Sequence, residues 1–277
     1  MLKLMYISNN IEVAEIAQKN GVDRIWIDLE TKGKEARQAG MNTVKSNHTI
    51  GDVRKLRPFI NRSELLVRIN PWDNESEHEI NEVIDAGADI IMLPMWKSVN
   101  EVRKFVETVN GRAQTILLLE TKEAEKCLDE VLKIDGIHEI HIGLNDLHIS
   151  YGCNFMFELL ANGTVERICK KIAKTNISYG FGGIGKLGGG LLRADNIITE
   201  HYRLGSSMVI LSRSFCDTST FTNIQDVENE FKCGIEDIRK FEEKIEKNYS
   251  EEDFEKNRQQ VISSVKQVVE MIEKQKR

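Results

Sequence analysis

Eight short apolar runs recur along the chain, and the segments between them have the spacing of amphipathic helices. The runs are continuous rather than alternating, which is typical of strands buried on both faces of a parallel sheet. Glycines at positions 21, 87, 111 and 136 follow the helical segments as stop signals. The runs are Leu2–Ile7, Arg24–Leu29, Leu65–Ile69, Asp89–Leu93, Thr115–Leu119, Glu139–Ile142, Ser178–Ile184 and Met208–Leu211. Eight βα units predict an α/β fold, a (β/α)8 TIM barrel.

The chain beyond Thr220 is highly charged and carries apolar residues at helical spacing. Two amphipathic helices are predicted, with a break near residues 248–252. Their apolar positions are Phe231, Ile235, Ile238, Phe241 and Ile245, then Val261, Val265, Val268 and Ile272. Residues 1–219 are therefore predicted to form the barrel and residues 220–277 a helical extension. The extension either covers the barrel as its eighth helix plus a tail, or packs on a neighbouring subunit; the second arrangement, a homo-oligomer, is favoured because one barrel needs only one more helix.

Composition restricts the class of protein. The 277 residues carry a net charge of −6, which offers no basic surface for nucleic acid. No run of 18 apolar residues occurs, so no membrane partner is expected. The five cysteines are odd in number and contain no C-x-x-C pair, which favours reduced thiols and a cytoplasmic location.

Charged residues follow several apolar runs at the points where strands end, and TIM-barrel active sites lie at that end. Glu120 follows the fifth run, and Asp146 follows the sixth run one unit later. Two carboxylates from adjacent strand ends can share one Mg²⁺ or Mn²⁺, because these ions prefer oxygen ligands. The alternative is a structural salt bridge between Glu120 and Arg68. Asp28 and Glu30 end the second run and are candidate substrate-binding residues.

Arg68 lies inside an apolar strand, and a buried guanidinium presents a fixed fork to a carboxylate or a developing enolate oxygen. An internal ion pair is the alternative for Arg68. His48 falls in the long segment Thr31–Thr49 after the second strand. Because loops of this length at a barrel mouth are usually functional, His48 is the leading acid/base candidate, with a surface histidine as the alternative.

Seven glycines occur among the eleven residues Gly180–Gly190, together with Lys186. The segment matches neither G-x-G-x-x-G nor a Walker A loop. Its backbone amides, including that of Gly182, could bind phosphate before a helix. A lid or a tight barrel corner is the alternative.

The segments DRIWIDLE, LLVRINPWDNE, DAGADIIMLPM, TILLLETKEA and HIGLNDLHISYG together resemble the HpcH/HpaI aldolase and citrate lyase β-subunit superfamily from about Ile7 to Phe215. The resemblance implies a divalent-metal-dependent aldolase that acts on pyruvate or oxaloacetate. It implies that Glu120 and Asp146 bind the metal, which pyruvate chelates. It also implies that the amides of Asn145 and Asp146 bind the pyruvate carboxylate and that Arg68 stabilises the enolate. Oligomers of this family commonly exchange C-terminal helices.

The chain departs from that family in three places, one of which is the glycine-rich segment with Lys186. Aldolase members usually have a histidine directly after the glutamate of the second strand, whereas Thr31 follows Glu30 here, so His48 is the candidate replacement. The Pro-Gly turn that citrate lyase relatives use for coenzyme A is replaced by Ile7-Ser-Asn-Asn10.

These observations predict a carbon–carbon lyase that takes a 2-oxo acid and an aldehyde. The alternatives are an enzyme for phosphoenolpyruvate or another phosphorylated substrate, a CoA-ester lyase, and a catalytically silent assembly subunit.

Overall fold

A computed structural model of the chain describes residues 1–33 and 47–275. Eight strands form a closed barrel in chain order, as predicted. The strands are β1 (Lys3–Ile7), β2 (Arg24–Asp28), β3 (Glu64–Arg68), β4 (Ile90–Leu93), β5 (Gln114–Leu119), β6 (Glu139–Ile142), β7 (Ser178–Ile184) and β8 (Met208–Leu211). Every residue of β2 and of β4 is buried, which explains why their apolar runs are continuous.

Helices alternate with the strands, and side-chain caps begin several of them. Ser98 and Glu101 form a capping box that satisfies backbone N–H groups at the first turn of α4. The helices are α1 (Ile11–Lys19), α2 (Ile50–Leu56), α3 (Ser76–Asp85), α4 (Val99–Val109), α5 (Lys122–Val131), α6 (Leu144–Tyr151), α7 (Glu158–Ala161), α8 (Thr164–Ile172) and α9 (Ala194–Arg203). Gly87, a predicted stop signal, has a φ of +98°, a conformation that favours glycine. None of the helices within the described ranges is long and apolar enough to cross a membrane.

Contacts between residues divide the chain into two compact units. The first unit is Met5–His141, and the second unit combines Met1–Leu4 with Ile142–Arg277. Most of the predicted mouth loop Thr31–Thr49, namely residues 34–46, lies outside the described residues.

An ion cluster in the first unit joins the starts of β2 and β3. Arg24, with a fully buried side chain, donates to both oxygens of Glu139 at 2.5 and 2.9 Å and to Glu64 at 2.9 Å. The Glu64 carboxylate also accepts from Gln114 at 3.1 Å. Burial alone would lower the pKa of Arg24, but the bonds and charges of Glu139 and Glu64 raise it.

The second unit contains the two predicted C-terminal helices, α10 (Ile224–Asn248) and α11 (Glu251–Gln275), and they break where the sequence indicated. Phe231 of α10 is fully buried and meets Phe215 edge to face, with ring centroids 5.6 Å apart. Buried Asn257 of α11 donates to the Asn196 carbonyl and to Glu200, both on α9. The chain therefore buries these helix faces within its own second unit, and packing on a neighbouring subunit stays a prediction.

Candidate active site

Arg68, at the end of β3, binds two buried carboxylates of the first unit. Its Nε and Nη2 donate to Oδ1 and Oδ2 of Asp28, each at 2.8 Å, and its Nη1 lies 3.2 Å from Oε2 of Glu30. Asp28 and Arg68 are register partners across β2 and β3, so the bidentate pair follows from the strand alignment. The sequence placed all three residues at strand ends, and the structure brings them together.

The guanidinium of Arg68 also interacts with the charge of Glu120 and with an aromatic ring. Burial alone would lower the pKa of Arg68, but the charges of Asp28, Glu30 and Glu120 raise it. The Cζ atom of Arg68 lies 5.3 Å from the centre of the Trp26 ring, within the range of a cation–π contact. We call Arg68, Asp28, Glu30 and Glu120 the acidic cluster.

Glu120 follows β5 and is 3% exposed. Its Oε1 accepts the backbone N–H of Met95 at 3.0 Å. Met95 has a φ of +53°, which costs a non-glycine residue about 1–2 kcal/mol. The strained turn after β4 thus aims an amide at the predicted metal-binding carboxylate, and no sequence signal marks a methionine for this conformation.

His48 contacts the backbone of Asp28, a member of the acidic cluster. Its Nδ1 accepts the backbone N–H of Asp28 at 3.1 Å. A backbone amide can only donate, so the neutral ring carries its own proton on Nε2. In this arrangement His48 is a hydrogen-bond donor at Nε2, and the ring must release the Asp28 amide before Nδ1 can act as a base.

Asn70 holds the segment after β2 beside the segment after β3. Its Oδ1 accepts the backbone N–H groups of Thr31 and Lys32 at 3.0 and 3.1 Å. Its Nδ2 donates to Glu79 of α3 at 2.7 Å. No feature of the sequence indicates this role of Asn70, because a side-chain bridge to a segment about forty residues away leaves no periodic signal.

The other predicted site residues lie in the second unit. Asp146 is buried in the first turn of α6, whereas Asn145 beside it is exposed. The side chain of Lys186 forms an ion pair with Glu230 of α10. Both side chains of this pair are partly exposed, and phosphate binding by Lys186 stays a prediction.

Part of the glycine-rich segment is strand rather than loop. A side chain on Gly180 would collide with the Met208 carbonyl of β8, and one on Gly182 would lie 2.8 Å from Leu144. These glycines allow β7 to approach its neighbours closely, which accounts for them without a ligand.

The donor chemistry of the acidic cluster suits a divalent cation. No group of three or more His, Cys, Asp or Glu side chains that could hold a metal occurs within residues 1–33 and 47–275. Mg²⁺, however, often takes only one or two carboxylates from a protein, with water and substrate completing its shell. Three carboxylates in the cluster face one guanidinium, so negative formal charge exceeds positive charge at a buried place. Hard oxygen donors and excess negative charge both fit such an ion.

The sequence model of the HpcH/HpaI aldolase/citrate lyase family matches residues 3–159. The chain belongs to this family. Membership in the HpcH/HpaI family supports a lyase-type function for this protein. No curated protein matches the chain.

Solved structures with a similar fold include other HpcH/HpaI proteins. An HpcH/HpaI aldolase from Desulfitobacterium hafniense DCB-2 has a TM-score of 0.60 and 14% identity, covering 86% of this chain and 93% of its own. An HpcH/HpaI aldolase/citrate lyase family protein from Burkholderia cenocepacia J2315 has a TM-score of 0.64 and 15% identity, covering 82% and 94%. Macrophomate synthase has a TM-score of 0.54 and 16% identity, covering 76% and 77%. At these identities the likeness shows the fold alone.

Proposed function

We propose that the protein is a divalent-metal-dependent carbon–carbon lyase that acts through the enolate of pyruvate or oxaloacetate. The observation that carries the proposal is the buried guanidinium of Arg68, fixed by Asp28 and Glu30 at the strand ends of a lyase-family barrel. Two of the five N–H groups of this guanidinium donate to Asp28, and Nη1 lies 3.2 Å from Oε2 of Glu30. The Arg68 side chain is 11% exposed, which supports contact between this guanidinium and a substrate oxygen.

Glu120 and Asp146 would hold the metal, as the family resemblance implies. Both are buried carboxylates, and a buried carboxylate gains from a cation because burial otherwise penalises its charge. When bound, the divalent ion would supply Lewis-acid polarisation of the 2-oxo acid. The Met95 amide would keep the Glu120 carboxylate oriented toward that role.

In the condensation direction, the pyruvate methyl group would give a proton to Nδ1 of His48, once that nitrogen has released the Asp28 amide, and would become the nucleophilic enolate carbon. That carbon forms a bond to the carbonyl carbon of the aldehyde, whose oxygen then takes up a proton. Cleavage runs the same steps in reverse, so no oxidant or further reactant is required. Arg68 would donate to the enolate oxygen, and the protonated His48 would return a proton to the aldehyde oxygen as charge develops on that oxygen.

Calorimetry tests the metal and 2-oxo acid site directly. Metal-stripped protein is titrated with Mn²⁺ and then with pyruvate, beside Glu120→Gln, Asp146→Asn and the control Glu125→Gln. Glu125 is a buried carboxylate on α5, five residues from Glu120, so the control removes a similar charge elsewhere. We expect pyruvate binding that requires Mn²⁺, is lost in the first two variants and persists in the control. Pyruvate binding that is equal in all four proteins, or that ignores Mn²⁺, would contradict the proposal.

A further inference from the structure

A cleft of about 420 Å³ opens beside the acidic cluster in the first unit. Its apolar lining consists of Pro71, Trp72 and Met95, all of them half-buried. This volume falls within the range of sites that bind small molecules, and such sites are mainly apolar with a few polar groups. Trp72 is the largest of these side chains and the aromatic one among them.

The cleft is continuous with the candidate active site along the chain. Met95 lines the cleft, and its backbone N–H donates to Glu120. Pro71 and Trp72 follow Arg68 by three and four residues. Asn70 ties the start of this segment to Thr31, directly after Glu30. A molecule in the cleft would therefore lie against the same turns that hold Arg68 and Glu120.

Charges at the rim of the cleft compensate one another. Lys32 donates to Asp73 at 2.5 Å and to Glu75 at 2.8 Å. Glu101 and exposed Lys97 also line the cleft, and Glu101 accepts the backbone N–H of Lys97 at 2.6 Å. Among the described residues, the charged side chains that line the cleft are Lys32, Lys97, Asp73 and Glu101, whose formal charges sum to zero. This part of the lining therefore offers no excess charge to an ionic ligand.

We infer that this cleft binds the apolar substituent of an uncharged aldehyde acceptor, with Trp72 as the residue that sets its preferred size. The inference rests on the proposed function, because an acceptor exists only if the acidic cluster generates an enolate. The inference narrows the acceptor to an aldehyde with an aromatic or medium-length aliphatic group, in place of a small or anionic aldehyde.

The experiment compares aldehydes of increasing size as acceptors for pyruvate with Mn²⁺ present. Acetaldehyde, hexanal and benzaldehyde are the probes, and the proteins are wild type, Trp72→Ala, Trp72→Phe and the control Phe59→Ala. Phe59 is an exposed aromatic residue outside the cleft lining, so its truncation removes similar surface elsewhere. Exchange of the pyruvate methyl protons with solvent deuterium, followed by NMR without aldehyde, reports enolate formation separately.

We expect wild type to use hexanal and benzaldehyde with kcat/KM about tenfold or more above the value for acetaldehyde. In Trp72→Ala, kcat/KM should fall about tenfold for the two larger aldehydes only, whereas Trp72→Phe should retain most of the wild-type kcat/KM. All four proteins should exchange pyruvate protons at similar rates. Equal kcat/KM for all three aldehydes in wild type, or equal losses in Trp72→Ala with normal exchange, would overturn the acceptor cleft alone. Absence of proton exchange in wild type would overturn the proposed function and the acceptor role with it.

Discussion

The strand pair β2 and β3 carries an arginine–carboxylate pair at each end, and the two pairs differ in what surrounds them. At the start of the strands, Arg24 of β2 faces Glu64 of β3; at the end, Asp28 of β2 faces Arg68 of β3. The Arg24 side chain is fully enclosed, whereas that of Arg68 is 11% exposed. The two ends of the strand pair therefore differ in that one arginine is fully buried and the other is partly accessible.

The carboxylates around the two arginines differ in the same sense. Around Arg24, Glu139 is buried, while the Glu64 side chain is 37% exposed and its charge is partly screened by solvent. Around Arg68, Asp28 and Glu30 are both nearly inaccessible and Glu120 adds a third negative charge. A barrel gains no stability from such an excess of buried charge. We therefore expect substitutions at the Arg24 pair to affect stability and substitutions in the acidic cluster to affect the proposed reaction.

The largest expected effect is on stability, from Arg24→Met. This substitution keeps an unbranched side chain but leaves Glu139 buried without its cation, which costs about 3–5 kcal/mol. Urea unfolding of wild type and variant measures the loss. The double variant Arg24→Met with Glu139→Leu should recover most of it, since no charge is then left buried. A single variant that unfolds within 1 kcal/mol of wild type would break the comparison.

The next effect is on rate, from Arg68→Lys. Lysine keeps the charge but loses the planar fork, so the enolate oxygen loses fixed donors and proton exchange from pyruvate should fall about 10²–10³-fold. The unfolding free energy should change little, because Asp28 and Glu30 still face a cation. Arg24→Lys is the matched control and should leave the exchange rate within about twofold. Similar rate losses in both variants would remove the distinction between the two ends.

The fold was predictable because its main signal is local. Strands such as Ile90–Leu93 are buried on both faces, so their apolar runs can be recognised without knowing their neighbours. The same locality placed Arg68 and Glu120 at strand ends. It also located the break between α10 and α11, which the apolar spacing shows directly.

The pairing within the candidate site was not predictable, because it depends on strand register and backbone conformation. The residues alone left Arg68 paired with Glu120 as an alternative, whereas its direct partners are Asp28 and Glu30. That choice follows from the alignment of β2 with β3, whose offset no periodicity in either strand fixes. Arg24, whose role depends on the same offset, was not identified as a site of any kind.

The smallest expected effect comes from Glu64→Gln, the exposed member of the Arg24 pair. Glutamine keeps an acceptor for the Nε of Arg24, and solvent already screens the charge that is removed. The free energy of unfolding should therefore fall by no more than about 1 kcal/mol, as for other exposed ion pairs. Asp28→Asn, the corresponding substitution at the other end, should instead slow pyruvate proton exchange, because one carboxylate oxygen that orients Arg68 is replaced by an amide N–H group. Urea unfolding and the exchange assay on both variants measure the two effects. A Glu64→Gln variant that loses several kcal/mol would show that the Arg24 pair depends on charge at its exposed edge, and the two ends would then differ less than their burial indicates.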